Sequence, residues 1–303
     1  MPGTDINDEV KQDIEELYRN YKNYAFAIAY RMLGTAADAE DVVQDCFTEL
    51  ARRDRSGISN MKAYLAKGIT NRCLNLLQSA RSRRETYTGE WLPEPITASY
   101  DGPEATAERQ DTLSYAFLVL LEKLAPAERA IFLLREVFEY EYEAIAEIMN
   151  KSEANCRKIF SRAKRSLQPE TAIERRRLTA EPGRAALLKR FSAAFAAYDV
   201  SRMLELLAEN PVFISDGGEH VHTVLRPMKG QKGVLALLTS RRVLYTLRDW
   251  ETTTALINGE LNIVYRKEGQ IMAVLCMSLN RSADRIEGLY LMLDPEKLQH
   301  IIV

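Results

Sequence analysis

Residues 142–167 read YEAIAEIMNKSEANCRKIFSRAKRSL, and this stretch decides the fold. Tyr142–Met149 is a short helix, Asn150-Lys151 a tight break, and Ser152 the N-cap of a second helix that runs to Leu167. Helix, tight turn, helix is the grammar of a helix-turn-helix unit. The second helix region carries Lys151, Arg157, Lys158, Arg162, Lys164 and Arg165 against a single acid, Glu153, with Cys156 and Ile159 facing inward. In such a unit this is the helix that enters a major groove, so its basic face is a candidate duplex-binding surface.

Working towards the N-terminus, helices resume at Asp111, with Leu113, Phe117, Leu120, Leu121 and Leu124 as one stripe. Pro126 fits the first turn of the next helix, which carries Ile131, Leu134, Val137 and Phe138. Residues 86–111, with Trp91-Leu92-Pro93-Glu94-Pro95 and Asp101-Gly102-Pro103, lack periodicity and read as a linker. Before it lie three amphipathic helices. The first carries Val10, Ile14, Leu17, Tyr18, Tyr21, Ala25, Ile28 and Met32 and stops at Gly34; the second spans 35–51 and the third about 61–84.

Towards the C-terminus, residues 169–182 read as a second linker. Helices over 184–198 and 200–208 come next, with strand-like alternation at 211–215 and 220–226 and a helix at 231–240. Strands near 246–257, 261–267, 270–280 and 285–292 complete the chain, with Asn258-Gly259 and Glu268-Gly269 as hairpin turns. Helices followed by an antiparallel run make an α+β domain.

The 303 residues carry a formal charge of −2, from 41 Lys+Arg and 43 Asp+Glu, so the chain as a whole is not basic. No run of about 18 apolar residues suggests a membrane span, and the polar Met1–Gln12 does not read as a signal peptide. Cys46, Cys73, Cys156 and Cys276 lack C-x-x-C spacing, which fits a reducing cytoplasm without a disulfide framework or zinc module. Global neutrality hides segregation. Residues 35–51 hold Asp38, Glu40, Asp41, Asp45 and Glu49 and no base; residues 52–84 hold nine bases against Asp54 alone. Two basic helices in separate domains can follow a polyanion, and the acidic helix between them calls for a second, basic partner.

Several segments together resemble a bacterial extracytoplasmic-function (ECF) RNA polymerase sigma factor. They are Tyr30-Arg31-Met32-Leu33-Gly34, Asp38-Ala39-Glu40-Asp41-Val42-Val43-Gln44-Asp45, Ala63-Tyr64-Leu65, Arg83-Arg84-Glu85, Leu124-Ala125-Pro126-Ala127-Glu128-Arg129, Tyr142-Glu143-Ala144-Ile145-Ala146 and Ser152-Glu153-Ala154-Asn155-Cys156-Arg157. Trp91-Leu92-Pro93-Glu94-Pro95 and the C-terminal extension resemble the SigJ-like subgroup, in which a SnoaL-like (NTF2-like) domain is fused after region 4. The subgroup's Asp-Gly-Gly-Gly-Lys motif reads Asp216-Gly217-Gly218-Glu219-His220 here. The resemblance implies a multi-domain chain. Region 2 covers 10–85, the linker 86–111, the region 4 helix-turn-helix 112–168, a second linker 169–182, and an α+β SnoaL-like regulatory cone 183–303. It also implies a factor that joins core RNA polymerase and directs initiation at promoters.

By the same resemblance, Asp38, Glu40, Asp41, Gln44 and Asp45 face the β′ clamp helices, while Val42, Val43 and Phe47 pack inside; the β flap is the second polymerase contact. Opening at the −10 element needs a basic surface and a pocket for an extruded base, and Asn60, Lys62, Lys67, Asn71, Arg72 and Asn75 are the candidates. At the −35 element the candidates are Ser152, Glu153, Asn155, Arg157, Lys158, Ser161 and Arg162. Arg157 and Lys158 suit guanine edges and Asn155 an adenine edge. Six to eight neutralised phosphates would give a salt slope of about −5 to −7. Acidic Glu90, Glu94, Asp101 and Glu104 in the linker would mimic the charge of a transcript in the polymerase's RNA exit path.

The cone's polar residues, Asp216, Glu219, His220, His222, Tyr245, Trp250 and Tyr265, form no evident catalytic pair or metal set, and Asp216-Gly217-Gly218 reads as a strand-end turn. The expectation is no catalysis, no cofactor and no metal. The domain is expected to regulate through intramolecular contact with the sigma domains, with room for a small ligand in its cavity. The competing readings are a helix-turn-helix repressor with a ligand-binding SnoaL-like effector domain, which leaves the acidic helix unexplained, and an enzyme with a DNA-binding appendage.

Overall fold

The computed structural model describes residues 6–84, 89–97, 114–167, 181–219, 221–241 and 244–302, and the side chains of these except at 6–12, 80–84 and 181–182. The chain forms two compact units. Residues up to Ser82 together with Leu121–Ser166 make the first; the segment 89–97, residues 114–120 and the chain from Leu167 onward make the second.

The first unit is helical. α1 (Ile6–Leu33) ends where Gly34 takes a φ of 78°, α2 (Ala36–Arg52) packs along α1, and α3 (Met61–Arg84) follows. The apolar side of α2 is buried through Ala39, Val42, Val43, Cys46, Phe47 and Leu50, and the Phe47 ring meets Tyr18 edge-on at 5.0 Å. After α4 (Tyr115–Leu121), which belongs to the second unit except for Leu121, comes α5 (Pro126–Phe132), which opens on Pro126 as expected. The chain then continues as a π-helical turn over Leu133–Val137, an insertion that periodicity does not announce. α6 (Tyr142–Met149) and α7 (Glu153–Leu167) are joined through Asn150, whose left-handed φ of 50° makes the break; Asn tolerates that conformation.

The two halves of this unit meet at specific atoms. Arg129 of α5 is buried and donates to the Met32 carbonyl oxygen at the end of α1 (2.8 Å) and to Glu122 (2.6 Å). The Tyr24 and Tyr140 hydroxyls share a hydrogen bond of 2.5 Å, and Phe138 meets the Tyr24 ring edge-on at 5.6 Å.

The second unit is α+β. α8 (Glu181–Ala196) and α9 (Val200–Leu206) precede β1 (Leu207–Asp216); β2 (Met228–Lys229) leads straight into α10 (Gly230–Leu238). A 3₁₀ turn (Tyr245–Asp249) precedes β3 (Glu251–Ile257), β4 (Glu260–Lys267), β5 (Gln270–Leu279) and β6 (Ile286–Met292), and α11 (Pro295–Leu298) closes the chain. The sheet order is β2-β1-β6-β5-β4-β3. The pairs are antiparallel except that β1 and β6 run parallel, which corrects the purely antiparallel expectation.

Two strand assignments also change. Residues 221–227 form no strand, because the chain turns back immediately after Asp216: Val221 N donates to the Gly217 carbonyl, and a Cβ on Gly217 would lie 2.0 Å from the Val221 oxygen. Residues 245–249 are a 3₁₀ turn rather than the start of β3, with Leu247 buried and Arg248 Nε donating to the Phe195 carbonyl.

Alternation along the strands gives the sheet two apolar faces. One, through Phe213, Tyr265, Leu275, Met277, Leu289 and Leu291, is covered by α8, α9 and α10. The other, through Val264, Val274, Cys276, Tyr290 and Met292, is covered by Leu92, by Tyr115, Ala116 and Val119 of α4, and by Leu298 and Ile301. The described part of the expected linker is therefore core, as is the first turn of the helix after it.

Candidate functional site

The acidic face comes first. Asp38, Glu40, Asp41, Gln44 and Asp45 are all exposed on α2, whereas Val42, Val43 and Phe47 are buried, so the helix splits cleanly into an apolar and an anionic side. Thr35 Oγ1 donates to Asp38 Oδ2 at 2.6 Å where the helix starts.

On α3 the candidates divide into free and committed groups. Asn60 accepts from the Ala63 amide at 3.0 Å and so caps the helix. Lys67, Asn71 and Asn75 are four residues apart, lie on one face and are exposed. Lys62 is exposed too, but its ammonium lies 4.7 Å above the Tyr24 ring, which is itself bonded to Tyr140. Arg72 is a strut rather than an open cation. It is ion-paired with Glu49 of α2 and donates to the Gly68 carbonyl at 3.3 Å, while Glu49 also holds Arg53 at 2.7 Å. Hydrogen bonding and charge from Arg72 hold the Glu49 carboxyl below the usual range.

On α7, Ser152 Oγ accepts from the Asn155 amide (3.3 Å), and Ser152, Glu153, Asn155, Arg157, Lys158, Ser161 and Arg162 are all exposed, with Cys156 and Ile159 buried. Arg157 is oriented twice, by Glu153 at 3.0 Å and by the Tyr142 ring 4.2 Å beneath its guanidinium. Arg162 pairs with Glu128 of α5, and Lys164 lies 3.9 Å from Glu136. Lys158 has no partner among the described residues.

The linker motif is built into the C-terminal unit. The Leu92 amide donates to Asp216 Oδ2 (2.8 Å), and Lys297 Nζ donates to the Leu92 carbonyl (2.8 Å) and to Asp216 Oδ2 (2.7 Å). The Lys297 ammonium also lies 4.3 Å from the Trp91 ring centroid. The Tyr115 hydroxyl donates to the Pro93 carbonyl at 2.6 Å. Ile96 exchanges backbone and side-chain bonds with Asn258, and Thr97 bridges Ile257 on the edge of β3. Asp216 Oδ1 accepts from the Gly218 amide, where φ is 64°, which makes the expected strand-end turn.

Glu94 corrects the transcript-mimic idea for its own position. It is buried, with its carboxylate 3.0 Å from His300 Nδ1, so its charge is turned inward. Glu90 is half-buried; Asp101 and Glu104 lie outside the described residues, as does His220. The remaining polar candidates of the cone are spent or dispersed. Asp216 belongs to Lys297 and Leu92, Tyr265 is fully buried with its phenol pKa raised by that burial, and Glu219, His222 and Tyr245 are exposed. Trp250 packs half-buried against the core, and among the described residues no cluster of three His, Cys, Asp or Glu groups is arranged to hold a metal ion.

Sequence reading missed Lys297, whose partners are 81 and 205 residues away, and Asn258, 162 residues from Ile96; neither separation leaves a local signal.

Known proteins share this arrangement. Residues 17–83 match the sigma-70 region 2 family and residues 114–167 the sigma-70 region 4 family. The chain is 32% identical over 245 residues to the ECF RNA polymerase sigma factor SigJ of Mycobacterium tuberculosis strain H37Rv, covering 79% of this chain and 77% of that protein. It is 27% identical over 299 residues to the probable ECF RNA polymerase sigma factor SigI of M. tuberculosis strain CDC 1551, covering 94% of each. The crystal structure of M. tuberculosis SigJ matches with a TM-score of 0.71 at 27% identity, over 94% of this chain and 98% of that one.

Proposed function

Because the chain belongs to the ECF sigma factor family and is an RNA polymerase-binding, promoter-specific initiation factor, we propose a division of labour among its charged faces. The anionic side of α2 engages the β′ clamp helices, with Asp38, Glu40, Asp41, Gln44 and Asp45 steering and orienting the encounter more than supplying raw affinity. The Lys67, Asn71 and Asn75 face of α3, joined by Asn60 and by Lys62 once it leaves Tyr24, holds the opened −10 strand, and Arg72 supports that face from behind. The first turns of α7 read the −35 element through Ser152, Glu153, Asn155, Arg157, Lys158, Ser161 and Arg162, and region 4 meets the β flap. The protein works in the cytoplasm, as a transcription factor rather than an enzyme.

The C-terminal SnoaL-like domain regulates in cis. What supports this is the seating of Trp91-Leu92-Pro93-Glu94-Pro95 and α4 on its sheet, through Asp216, Lys297 and the apolar face around Val274. A connector between regions 2 and 4 that is core of a third domain cannot move without that domain.

The single observation that carries the whole reading is the split of exposed charge between helices, anionic on α2 and cationic on α7. The test is transcription by core RNA polymerase with the full chain on a library of promoter fragments. Transcripts from defined starts that need the chain support the reading. Duplex binding without polymerase and with no defined transcript overturns it in favour of a repressor, which nothing in the comparisons favours.

A further inference from the structure

The C-terminal unit carries a charge segregation of its own. Between Glu219 and Asp249 the sequence holds Arg226, Lys229, Lys232, Arg241, Arg242 and Arg248 and no acid. Arg242 lies outside the described residues, and Arg248 is turned inward, its guanidinium 4.5 and 4.6 Å from the Phe195 and Tyr198 rings. The other four are different. Arg226, Lys229, Lys232 and Arg241 are exposed, and none has an ion pair or side-chain hydrogen bond among the described residues.

Several other cations of the same unit are occupied, Arg184 by Glu260 and Asn262, Arg202 by Asp199, Arg285 by the Glu205 carbonyl and Lys297 by Asp216, whereas Lys189, Arg190, Lys267 and Arg281 are exposed but fall in three separate parts of the sequence. Four unpaired like charges within one short stretch of chain repel each other and gain nothing for the fold.

They fall within one stretch of chain, residues 226–241. Arg226 precedes β2, Lys229 ends it, Lys232 stands in the first turn of α10, and Arg241 follows the C-terminal end of that helix. A nine-residue helix is about 13.5 Å long. Duplex DNA carries one phosphate charge per about 1.7 Å of axis, so four cations in one short stretch meet an excess of phosphates. The side-chain amide of this stretch, Gln231, is committed to the Leu207 carbonyl, to which its Nε2 donates at 3.3 Å.

We propose that Arg226, Lys229, Lys232 and Arg241 form a sequence-independent DNA-backbone contact, by which the C-terminal domain adds its own hold on duplex DNA to that of the tethered promoter-binding regions. It rests on the promoter-binding reading above and extends it to a third, non-specific anchor. Covalent linkage to two promoter-binding regions makes even a weak third contact count, since the local DNA concentration is already high.

The test uses the full chain assembled with core RNA polymerase. A variant carrying Arg226→Gln, Lys229→Gln, Lys232→Gln and Arg241→Gln is compared with the parent on two promoter fragments, one ending just upstream of the −35 element and one extended by about 30 base pairs of arbitrary sequence. On the extended fragment the variant's salt slope is expected to be shallower by about 3–4, so that its affinity deficit is about a hundredfold larger at 50 than at 200 mM salt. On the short fragment, affinity and transcription are expected to be alike for both. Equal slopes on the extended fragment overturn the proposal. So does a variant that loses affinity for core polymerase before any DNA is added, because the partner is then an acidic protein surface. A parent that starts no defined transcript on the short fragment fails the promoter-binding reading instead, so the two failures are distinguishable.

Discussion

Lys297 and Asp216 form an ion pair of 2.7 Å with the carboxylate wholly buried, although they stand 81 residues apart in the chain. The same ammonium also reaches the Leu92 carbonyl, so one lysine near the C-terminus closes β1, the linker motif and α11 on each other. Removing one member of a buried pair leaves its partner charged and unpaired, at a cost of about 3–5 kcal/mol. Lys297→Met is therefore expected to lower the stability of the C-terminal unit by that order in chemical denaturation, and to speed hydrogen exchange at the Leu92 amide. A change within about 0.5 kcal/mol, the usual range for an unremarkable surface site, would show that the pair holds nothing.

The seating of the linker also bears on how regulation is probed. Deleting residues 183–303 would leave Leu92, Tyr115, Ala116 and Val119 without their cover. The deletion is expected to produce an aggregation-prone protein whose activity change cannot be ascribed to a lost regulator. Light scattering of the purified fragment checks this; a monodisperse monomer would contradict the packing described.

Glu49 ties the acidic helix to the basic one. Its carboxyl is held below the model-peptide value of 4.5, first by the hydrogen bond from Arg72 and then by the charges of Arg72 and Arg53. A lowered folded value means that the ionised group stabilises the fold above pH 4.5, and that this contribution is lost as pH falls through the folded value. Glu49→Gln is expected to flatten the acid limb of the stability curve below about pH 4.5 and to free the Arg72 guanidinium. Denaturation midpoints between pH 3 and 6, compared for the two proteins, decide it; parallel curves would assign the acid sensitivity elsewhere.

Asp41 and Asp45 are exposed, and neither holds another described residue through its side chain. Reversing both to Lys is expected to leave the thermal midpoint unchanged within the small range of surface substitutions, and to abolish binding to core polymerase, most visibly in the association rate at low salt. Normal core affinity in the folded double variant would remove α2 from the interface.

All four thiols are buried, and burial raises each above the ordinary value, so little thiolate forms at neutral pH. The native chain is expected to resist alkylation at pH 8 and to release four reactive thiols on denaturation. Rapid labelling of any one of them in the native state would contradict its placement.

The sequence by itself determined the helices of the first unit and the roles of their faces. Residues at steps of three and four share a side, so Val42 and Phe47 had to turn in and Asp41 and Asp45 out, and the Asn150-Lys151 break with its Ser152 cap fixed the helix-turn-helix locally. Only the tertiary structure decided which charges are spent and what the linker is. Arg72 looks on paper like Lys67, and Glu94 like any linker acid, until Glu49 and His300 arrive from elsewhere in the chain. The parallel pairing of β1 with β6 and the burial of Leu92 against Val274 are likewise invisible to local pattern, because periodicity reports which side of an element is apolar and never which distant surface will cover it.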